Sequence, residues 1–142
     1  MTEPPRHSVS VAGIVFDDQG RVLAIRRRDT GHWQPPGGIL ELDETITDGL
    51  RREVLEETGV VVEPQRLTGI YKNMVLGVVA LVFRRRLASG RPTPTEEATE
   101  ADWLTLDEVA ARMAPAFAIR ITDALDAAPS IRAHDGTNLL GE

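Results

Sequence analysis

The chain has 142 residues, of which 42% are hydrophobic and 27% charged, and its formal net charge is −6 at pH 7. This length and composition predict one globular domain that buries about two-thirds of its unfolded surface. The acidic balance argues against stable, sequence-independent nucleic-acid binding, which needs a basic surface. It does not exclude a nucleotide substrate, because a bound metal ion reverses the local charge. The absence of cysteine excludes disulfides, zinc–thiolate sites and a thiol nucleophile.

The ends of the chain and its hydropathy predict its compartment. The first residues, M-T-E-P-P-R-H, lack the apolar core of a signal peptide. The longest apolar run, Met74 to Phe83, is too short to span a membrane. We therefore expect a cytoplasmic protein with no membrane partner. Residues 1–6 and about 129–142 are expected to be tails of a single domain that covers residues 1–142.

The chain begins with a predicted β-hairpin. Ser8 to Phe16 is apolar and β-branched, Asp17 to Gly20 is a turn signal, and Val22 to Ile25 is the returning strand. Arg26 to Arg28 continue this strand. One or two of these arginines, with Arg28 as the candidate, would face phosphate, since a guanidinium fork suits it. Arginines exposed to solvent at a strand end are the alternative.

A loop, D-T-G-H-W-Q-P-P-G, follows from Asp29 to Gly37. Gly37 and Gly38 allow the backbone to approach a ligand closely, and Gly38 can offer its carbonyl to a metal ion. Trp33 either stacks on a base or packs beneath the loop. His32 is near enough in sequence to contact phosphate, and a surface histidine without such a role is the alternative.

The stretch from about Thr45 to Thr58 predicts a helix. Asp43 and Thr45 are both candidate N-caps, and Gly59 is a C-terminal stop signal. An apolar stripe is expected to face the core; it consists of Ile46, Leu50 and Val54.

Three carboxylates lie beside this stripe. Glu53, Glu56 and Glu57 fall within about 100° of arc on the helix. Glu53 and Glu57 are like-charged neighbours four residues apart, which destabilises an isolated helix by about 0.2–0.5 kcal/mol. A hard divalent cation such as Mg²⁺ turns this repulsion into coordination. The alternative is a solvated charged face with Arg52 paired to Glu56.

The flanking residues favour the metal site. The motif G-x5-E-x7-R-E-U-x-E-E-x-G-U consists of Gly38, Glu44, Arg52, Glu53, Glu56, Glu57 and Gly59, with Val54 and Val60 as the apolar U positions. It resembles the Nudix box of the MutT/Nudix hydrolases at every defining position, and the strand order extends the resemblance over about Ser8 to Val109. One departure is Gly49, where the family usually has alanine, which indicates close packing against the sheet.

The resemblance implies an α+β fold, an α/β/α sandwich with a mixed sheet, the box helix and a C-terminal helix. It also implies divalent-metal hydrolysis of the pyrophosphate bond in a nucleoside diphosphate linked to X, with Mg²⁺ as cofactor and Mn²⁺ as a possible substitute. By position, the metal ligands would be Glu53, Glu56, Glu57 and the Gly38 carbonyl. Arg52 would orient a box glutamate, while Glu44 and Gly59 would support the box.

The rest of the chain predicts further strands and two helices. The run from Met74 to Leu87 is nearly continuously apolar, which is typical of a strand covered on both faces. A polar loop follows from Ala88 to Thr99. The other predicted strands are Val60–Val62, Leu67–Tyr71 and Glu100–Leu104, and the predicted helices are Thr105–Met113 and Ala116–Ala127.

Hydrolysis also needs a general base. Glu53 itself is one candidate, and the acidic group Glu96, Glu97 and Glu100 offers others. Glu100 is favoured, since family members often place a metal-binding glutamate just before this strand. An exposed acidic loop without a catalytic role is the alternative.

The substrate stays open between two small-molecule classes. A (deoxy)nucleoside triphosphate is preferred, and ADP-ribose or a sugar nucleotide is the alternative. Markers of coenzyme A and NADH pyrophosphatases are absent, as is the proline that often accompanies ADP-ribose activity. A non-catalytic nucleotide sensor is disfavoured because every box carboxylate is present. The expected oligomer is a monomer or a homodimer.

Overall fold

The computed structural model describes residues 2–86 and 91–141. In these ranges nine strands form one sheet, accompanied by three helices. The strands are β1 (Ser8–Phe16), β2 (Val22–Arg27), β3 (Trp33–Gln34), β4 (Gly37–Ile39), β5 (Arg66–Asn73), β6 (Val78–Arg86), β7 (Ala98–Leu104), β8 (Ser130–His134) and β9 (Leu139–Leu140). The helices are α1 (Ile46–Thr58), α2 (Leu106–Arg112) and α3 (Pro115–Asp123).

The sheet is mixed and it divides around its central strand. β1 runs parallel to β6 along its whole length, but its only register with β2 joins Phe16 to Val22. The first part of β1 pairs instead with β4, and β7 pairs with β2. The glycine strand β4 is therefore inserted where β1 and β2 separate, and its residues line both cavities of the candidate site.

Helices cover both faces of the sheet. Alternate β1 residues point to opposite sides, as the two-residue period of a strand requires. Val11 and Val15 pack with Leu50 and Val54 of α1, whereas Ile14 packs in the second core with α2 and α3. β6 contributes to both cores, as predicted for a strand covered on both faces. The expected α+β sandwich with a mixed sheet is confirmed.

The box helix forms almost where the sequence predicts. Of the two candidate N-caps, the structure uses Thr45, whose side chain accepts a hydrogen bond from the Asp48 amide. Gly59 ends α1 with a φ of 77°, and its amide donates to the Leu55 carbonyl at 2.8 Å. Glycine adopts this left-handed conformation without the penalty that a side chain brings.

Gly49 has a packing reason, although its neighbours are not those predicted. A Cβ atom added there would overlap the Leu40 side chain and would lie 2.9 Å from Glu44 Oε1. The close contact is therefore with the loop that enters α1 and not with the sheet.

Several predicted boundaries are wrong. Residues 60–62 form no strand, and 74–77 form the turn between β5 and β6 instead of the start of β6. The last helix ends at Asp123 and not at Ala127. The end of the predicted long strand and the start of the loop after it, residues 87–90, lie outside the described residues.

The C-terminal segment is not a tail. β8 pairs in parallel with β5, and β9 pairs with β8. Arg132 of β8 forms two bonds of 2.8 Å with the buried Asp123 carboxylate, which also accepts from the Tyr71 hydroxyl. The segment was missed because it is short and its pattern is reversed, since the apolar Ile131 is 82% exposed while the polar His134 is buried. Its pairing comes from the open edge of β5.

No helix in the described ranges is long and apolar enough to cross a membrane.

Candidate active site

A cavity of about 520 Å³ opens where β4 meets α1. Its lining includes Arg28, Gly37, Gly38, Glu53, Glu57 and Glu97. We call it the carboxylate cavity. It collects four of the acidic side chains that the sequence singles out and places them beside the glycine strand; these are Glu53, Glu57, Glu96 and Glu97.

Glu53 and Glu57 lie on the buried side of α1, with only 7% and 3% of each residue exposed. The Gly37 amide donates to Glu57 Oε1 at 2.6 Å. A Cβ atom at Gly38 would overlap the Glu53 carboxylate. The absence of a side chain at Gly38 therefore lets β4 lie directly against Glu53, whereas a Cβ atom at Gly37 would overlap Val11 and Ala12 of β1. The close approach of these glycines to a ligand stays a prediction.

The burial of these groups changes their acidity. Burial raises the pKa of Glu57 to about 8, against the opposing effect of the Gly37 amide, and the negative charges of Glu53 and Glu97 raise it further. Burial also raises the pKa of Glu53, while the adjacent Arg52 opposes this shift. Without a cation nearby, the cavity thus disfavours the ionised forms of both carboxylates.

Arg52 connects the carboxylates of the box. Its Nε and Nη2 donate to the two oxygens of Glu44 at 2.8 and 2.5 Å, and its Nη1 donates to Glu53 at 2.9 Å and to Glu56 at 3.3 Å. Arg52 lowers the pKa of Glu44 to about 2, and Glu44 also accepts from the Glu41 amide. The Arg52–Glu56 pair of the alternative interpretation exists, but as one part of this network.

The donor set of the cavity suits a hard divalent cation. Glu53 and Glu57 offer buried carboxylate oxygens, which Mg²⁺ prefers as ligands, and a cation beside them would favour their ionised forms. Within the described ranges, no three or more Asp, Glu, His or Cys side chains already form a group that could hold a metal ion. Glu56 in particular remains 53% exposed at the rim. The residues therefore fit a metal in their chemistry, but they are not assembled around one.

The structure brings Glu96 and Glu97 to the cavity and does not bring Glu100 there. Glu97 raises the pKa of both buried glutamates through its charge. Glu100 pairs instead with Arg26 at 3.2 Å, and both side chains are about half exposed. Arg26 lies opposite both Glu100 and Trp33 in the sheet, and Trp33 packs in the core beneath α2 and α3. Because facing residues share one face of a sheet, Glu100 lies on the face away from α1.

Of the three predicted substrate contacts, one borders the carboxylate cavity and two do not line it. Arg28 borders the cavity, but its guanidinium donates to the carbonyls of Glu96 and Thr95, so it holds the acidic loop. His32 is exposed and is not part of the cavity lining. Trp33 is 9% exposed beneath the Arg112 guanidinium, so the packing alternative is correct.

The sequence missed a second cavity of about 240 Å³ on the other side of β4. It shares Arg27, Gly37 and Gly38 with the carboxylate cavity, and its far wall contains Arg120 and His134. A signal for Arg120 does exist, because this charged residue interrupts the apolar side of α3. That side consists of Phe117, Ile121 and Ala124.

Replacing Gly38 by alanine is expected to displace the Glu53 carboxylate and to weaken metal affinity, because the new Cβ would occupy the same space. The backbone of Gly38 has no positive φ, so the fold should persist. Titration of Mn²⁺ followed by electron paramagnetic resonance measures the effect, with circular dichroism as the check on folding. Gly141→Ala is a control, since no atom lies within 4 Å of its added Cβ and its φ is not positive. Unchanged Mn²⁺ affinity in Gly38→Ala would contradict the predicted crowding.

The mixed sheet between helices and the buried carboxylates beside a glycine strand fit a metal-dependent site, and comparison with known proteins gives the family. The family model described as the NUDIX domain matches residues 6–125. The chain therefore belongs to the Nudix family, whose hydrolases generally use a divalent metal.

Individual relatives agree with this assignment. The chain is 56% identical to a MutT-like protein of Streptomyces ambofaciens over 98% of its own length and 91% of the relative. It is 31% identical to the oxidized purine nucleoside triphosphate hydrolase of Mus musculus, over 68% of this chain and 65% of that protein. The crystal structure of an ADP-ribose pyrophosphatase from Streptococcus suis has the same fold, with a TM-score of 0.75 and 22% identity over 91% of this chain and 100% of that one.

Proposed function

We propose that this Nudix hydrolase is a Mg²⁺-dependent pyrophosphohydrolase of (deoxy)nucleoside triphosphates. The observation that carries the proposal is the pair of adjoining cavities that share the glycine strand β4. Glu53 and Glu57 line one cavity, which suits metal-bound phosphates, whereas the other has no carboxylate among its lining residues and suits a nucleoside. Their volumes of about 520 and 240 Å³ together fit the range of roughly 300–1,000 Å³ for small-molecule sites.

The residues of the box would divide the work. Glu53, Glu56, Glu57 and the Gly38 carbonyl would hold Mg²⁺, with Mn²⁺ as a possible substitute. The metal would neutralise charge on the phosphates and lower the pKa of a bound water. Glu44 holds the Arg52 guanidinium, which donates to both Glu53 and Glu56 and so orients these two carboxylates. The Gly37 amide holds Glu57 in place.

The proton of the attacking water needs an acceptor outside the metal ligands. Glu96 and Glu97 both line the carboxylate cavity on the loop that Arg28 secures. Glu97 is our candidate because its charge is the one that raises the pKa of both Glu53 and Glu57. The Arg28 amide also donates to the Glu97 carbonyl at 2.9 Å. Glu97 therefore replaces Glu100 in our assignment, and Glu53 remains the second candidate.

Product analysis over a nucleotide panel with Mg²⁺ and with Mn²⁺ tests the proposed activity. We expect pyrophosphate and a nucleoside monophosphate from a triphosphate. Production of AMP and ribose 5-phosphate from ADP-ribose would favour the alternative, which the shared fold with the Streptococcus suis enzyme leaves open. Tight nucleotide binding with no cleavage of any member of the panel would contradict both and favour a sensor.

Mg²⁺ is expected to raise the melting temperature of the protein. The buried charges of Glu53 and Glu57 oppose each other in the metal-free protein, and a ligand that binds only the folded state stabilises it by mass action. Thermal melts from zero to millimolar Mg²⁺ at pH 8 measure the shift. The control replaces the Mg²⁺ salt by a sodium salt, free of Ca²⁺, at equal ionic strength. A flat melting temperature, with and without nucleotide, would count against a metal site here.

A further inference from the structure

The second cavity contains a buried arginine that receives no counter-charge from the residues that the structure describes. Arg120 is 6% exposed, yet within the described residues its guanidinium forms no salt bridge and its Nε has no hydrogen-bond partner. Asp123, the buried carboxylate on the same helix, is already bonded to Arg132 and to the Tyr71 hydroxyl. Burial of a charge without such a partner is unfavourable, so the position of Arg120 needs an explanation.

Aromatic rings hold this guanidinium in place. Its Cζ lies 4.8 Å from the ring centroids of both Tyr71 and Phe117. Cation–π contacts of this kind fix the guanidinium without using its N–H groups. Burial lowers the pKa of Arg120 to about 10, so the group is still positively charged near neutral pH.

The nearest polar neighbour is also a donor. Arg120 Nη2 lies 3.4 Å from His134 Nε2. The Gly136 amide donates to Nδ1 of this histidine at 3.0 Å, and burial together with Arg120 lowers its pKa. The ring is therefore neutral with its proton on Nε2, since Nδ1 is an acceptor. Two N–H groups thus face each other, and neither satisfies the other.

Asn73 adds a third donor to the same cavity. Its Oδ1 accepts from the amides of Val75 and Leu76, at 3.0 and 3.1 Å, so its NH₂ group is what it can offer to a ligand. Apolar side chains complete the wall, among them Leu76 and Phe117. The cavity is consequently apolar with converging donors, and none of its lining residues is Asp or Glu.

We propose that Arg120 and His134 bind a hydrogen-bond acceptor on the part of the substrate that is not hydrolysed, either a ring carbonyl or an anionic oxygen. This inference rests on the proposed function, because it assumes that the reacting phosphates occupy the carboxylate cavity. A guanidinium has five donors and no acceptor, so an amino group in this position would meet donors only. If the acceptor is a ring carbonyl, the cavity should bind an oxo-purine base more tightly than adenine, since arginine commonly donates to the O6 and N7 acceptors of guanine.

Equilibrium binding of inosine 5′-monophosphate and adenosine 5′-monophosphate to the wild-type protein tests the ring-carbonyl source. The bases of these probes differ in carrying a carbonyl or an amino group at C6. We expect the inosine nucleotide to bind about 10-fold more tightly or better, which lies within the range known for arginine–base contacts. Arg120→Met should abolish the difference, and Arg120→Lys, which keeps the charge but loses the planar fork, should reduce it.

Arg84→Met is the matched control. Arg84 also has a buried Nε without a hydrogen-bond partner, but its Nη1 donates to the Ala124 carbonyl and it lies outside both cavities. Its replacement should leave the preference between the two nucleotides intact. We also expect Arg120→Met to melt at the wild-type temperature or above, since it removes a buried charge without a counter-ion. If Arg120→Met does not fold, the comparison in the wild-type protein and in Arg120→Lys still decides.

Inorganic phosphate separates the two sources of the acceptor. Equal affinity for the two nucleotides, combined with phosphate binding that Arg120→Met abolishes, would support an anionic oxygen as the ligand. Equal affinity for the two nucleotides, combined with phosphate binding that Arg120→Met does not change, would overturn the inference. These measurements need no turnover, so they are independent of the activity test. Binding through Arg120 without hydrolysis of any panel substrate would refute only the proposed function, whereas hydrolysis without any role of Arg120 in binding would refute only this inference.

Discussion

Glu57→Gln is expected to lower turnover by orders of magnitude while the fold is retained. Glutamine keeps the shape of the side chain, and its carbonyl oxygen can still accept from the Gly37 amide. It removes the negative charge that the proposed metal site needs from the most deeply buried carboxylate of the box. Steady-state kinetics with saturating Mg²⁺ on the substrate identified by the panel measure the loss.

The same substitution is expected to stabilise the metal-free protein at pH 8. The pKa of Glu57 rises from an ordinary value of 4.5 to about 8 in the folded protein, so the folded state binds more protons than the unfolded state between these values. The contribution of Glu57 to stability is thus fully present below about pH 4.5 and is lost as the pH rises through about 8. Glutamine does not titrate, so it avoids this loss.

Thermal melts of metal-free wild type and Glu57→Gln at pH 5 and pH 8 measure this effect. The two melting curves should be closer at pH 5, and the variant should be the more stable protein at pH 8. Glu63→Gln is the control, because Glu63 is exposed, pairs with Arg51 and lies outside the cavity. Wild-type turnover in Glu57→Gln would show that the box carboxylates have been assigned the wrong role.

The sequence predicts the box helix well because its signals are local. Thr45 and Gly59 cap α1 through neighbours within four residues, and the spacing of Glu53 and Glu57 beside Leu50 follows from helix geometry alone. The strands β1, β2 and β7 are likewise marked by their own composition. These parts of the fold could be predicted because no distant contact is needed to define them.

The remaining features depend on which strands become neighbours. β8 has one strongly exposed apolar residue, Ile131, and is defined by the edge of β5 that it joins. Arg120 and His134 meet only because α3 and β8 pack beside the turn after β5, so no spacing in the sequence reveals the second cavity. Strand register also decides which glutamate of the acidic group lies near the box, since a shift of one residue moves a side chain to the other face of the sheet.

Glu97→Gln is expected to lower the maximal rate by roughly 10²–10⁴-fold, the usual range for the loss of a general acid or base. Glu97 lines the carboxylate cavity and its charge raises the pKa of Glu53 and Glu57, whereas Glu100 pairs with Arg26 on the opposite face of the sheet. Glu100→Gln is therefore the matched control and should stay near the wild-type rate. A transition-state role predicts that Glu97→Gln changes the maximal rate far more than the Michaelis constant.

A pH–rate profile of both variants under saturating metal decides between the candidate bases. A base must be deprotonated to act, so the wild-type rate should fall on the acidic side of the profile. Glu97→Gln should lose this acidic limb together with most of its rate, and Glu100→Gln should keep both. If Glu97→Gln keeps the wild-type rate and its acidic limb, the proton must go to a carboxylate of the box, and Glu53 becomes the base. If Glu100→Gln alone loses them, the strand register that separates Glu100 from α1 cannot describe the active enzyme, because a group on the opposite face of the sheet has no path to the attacking water.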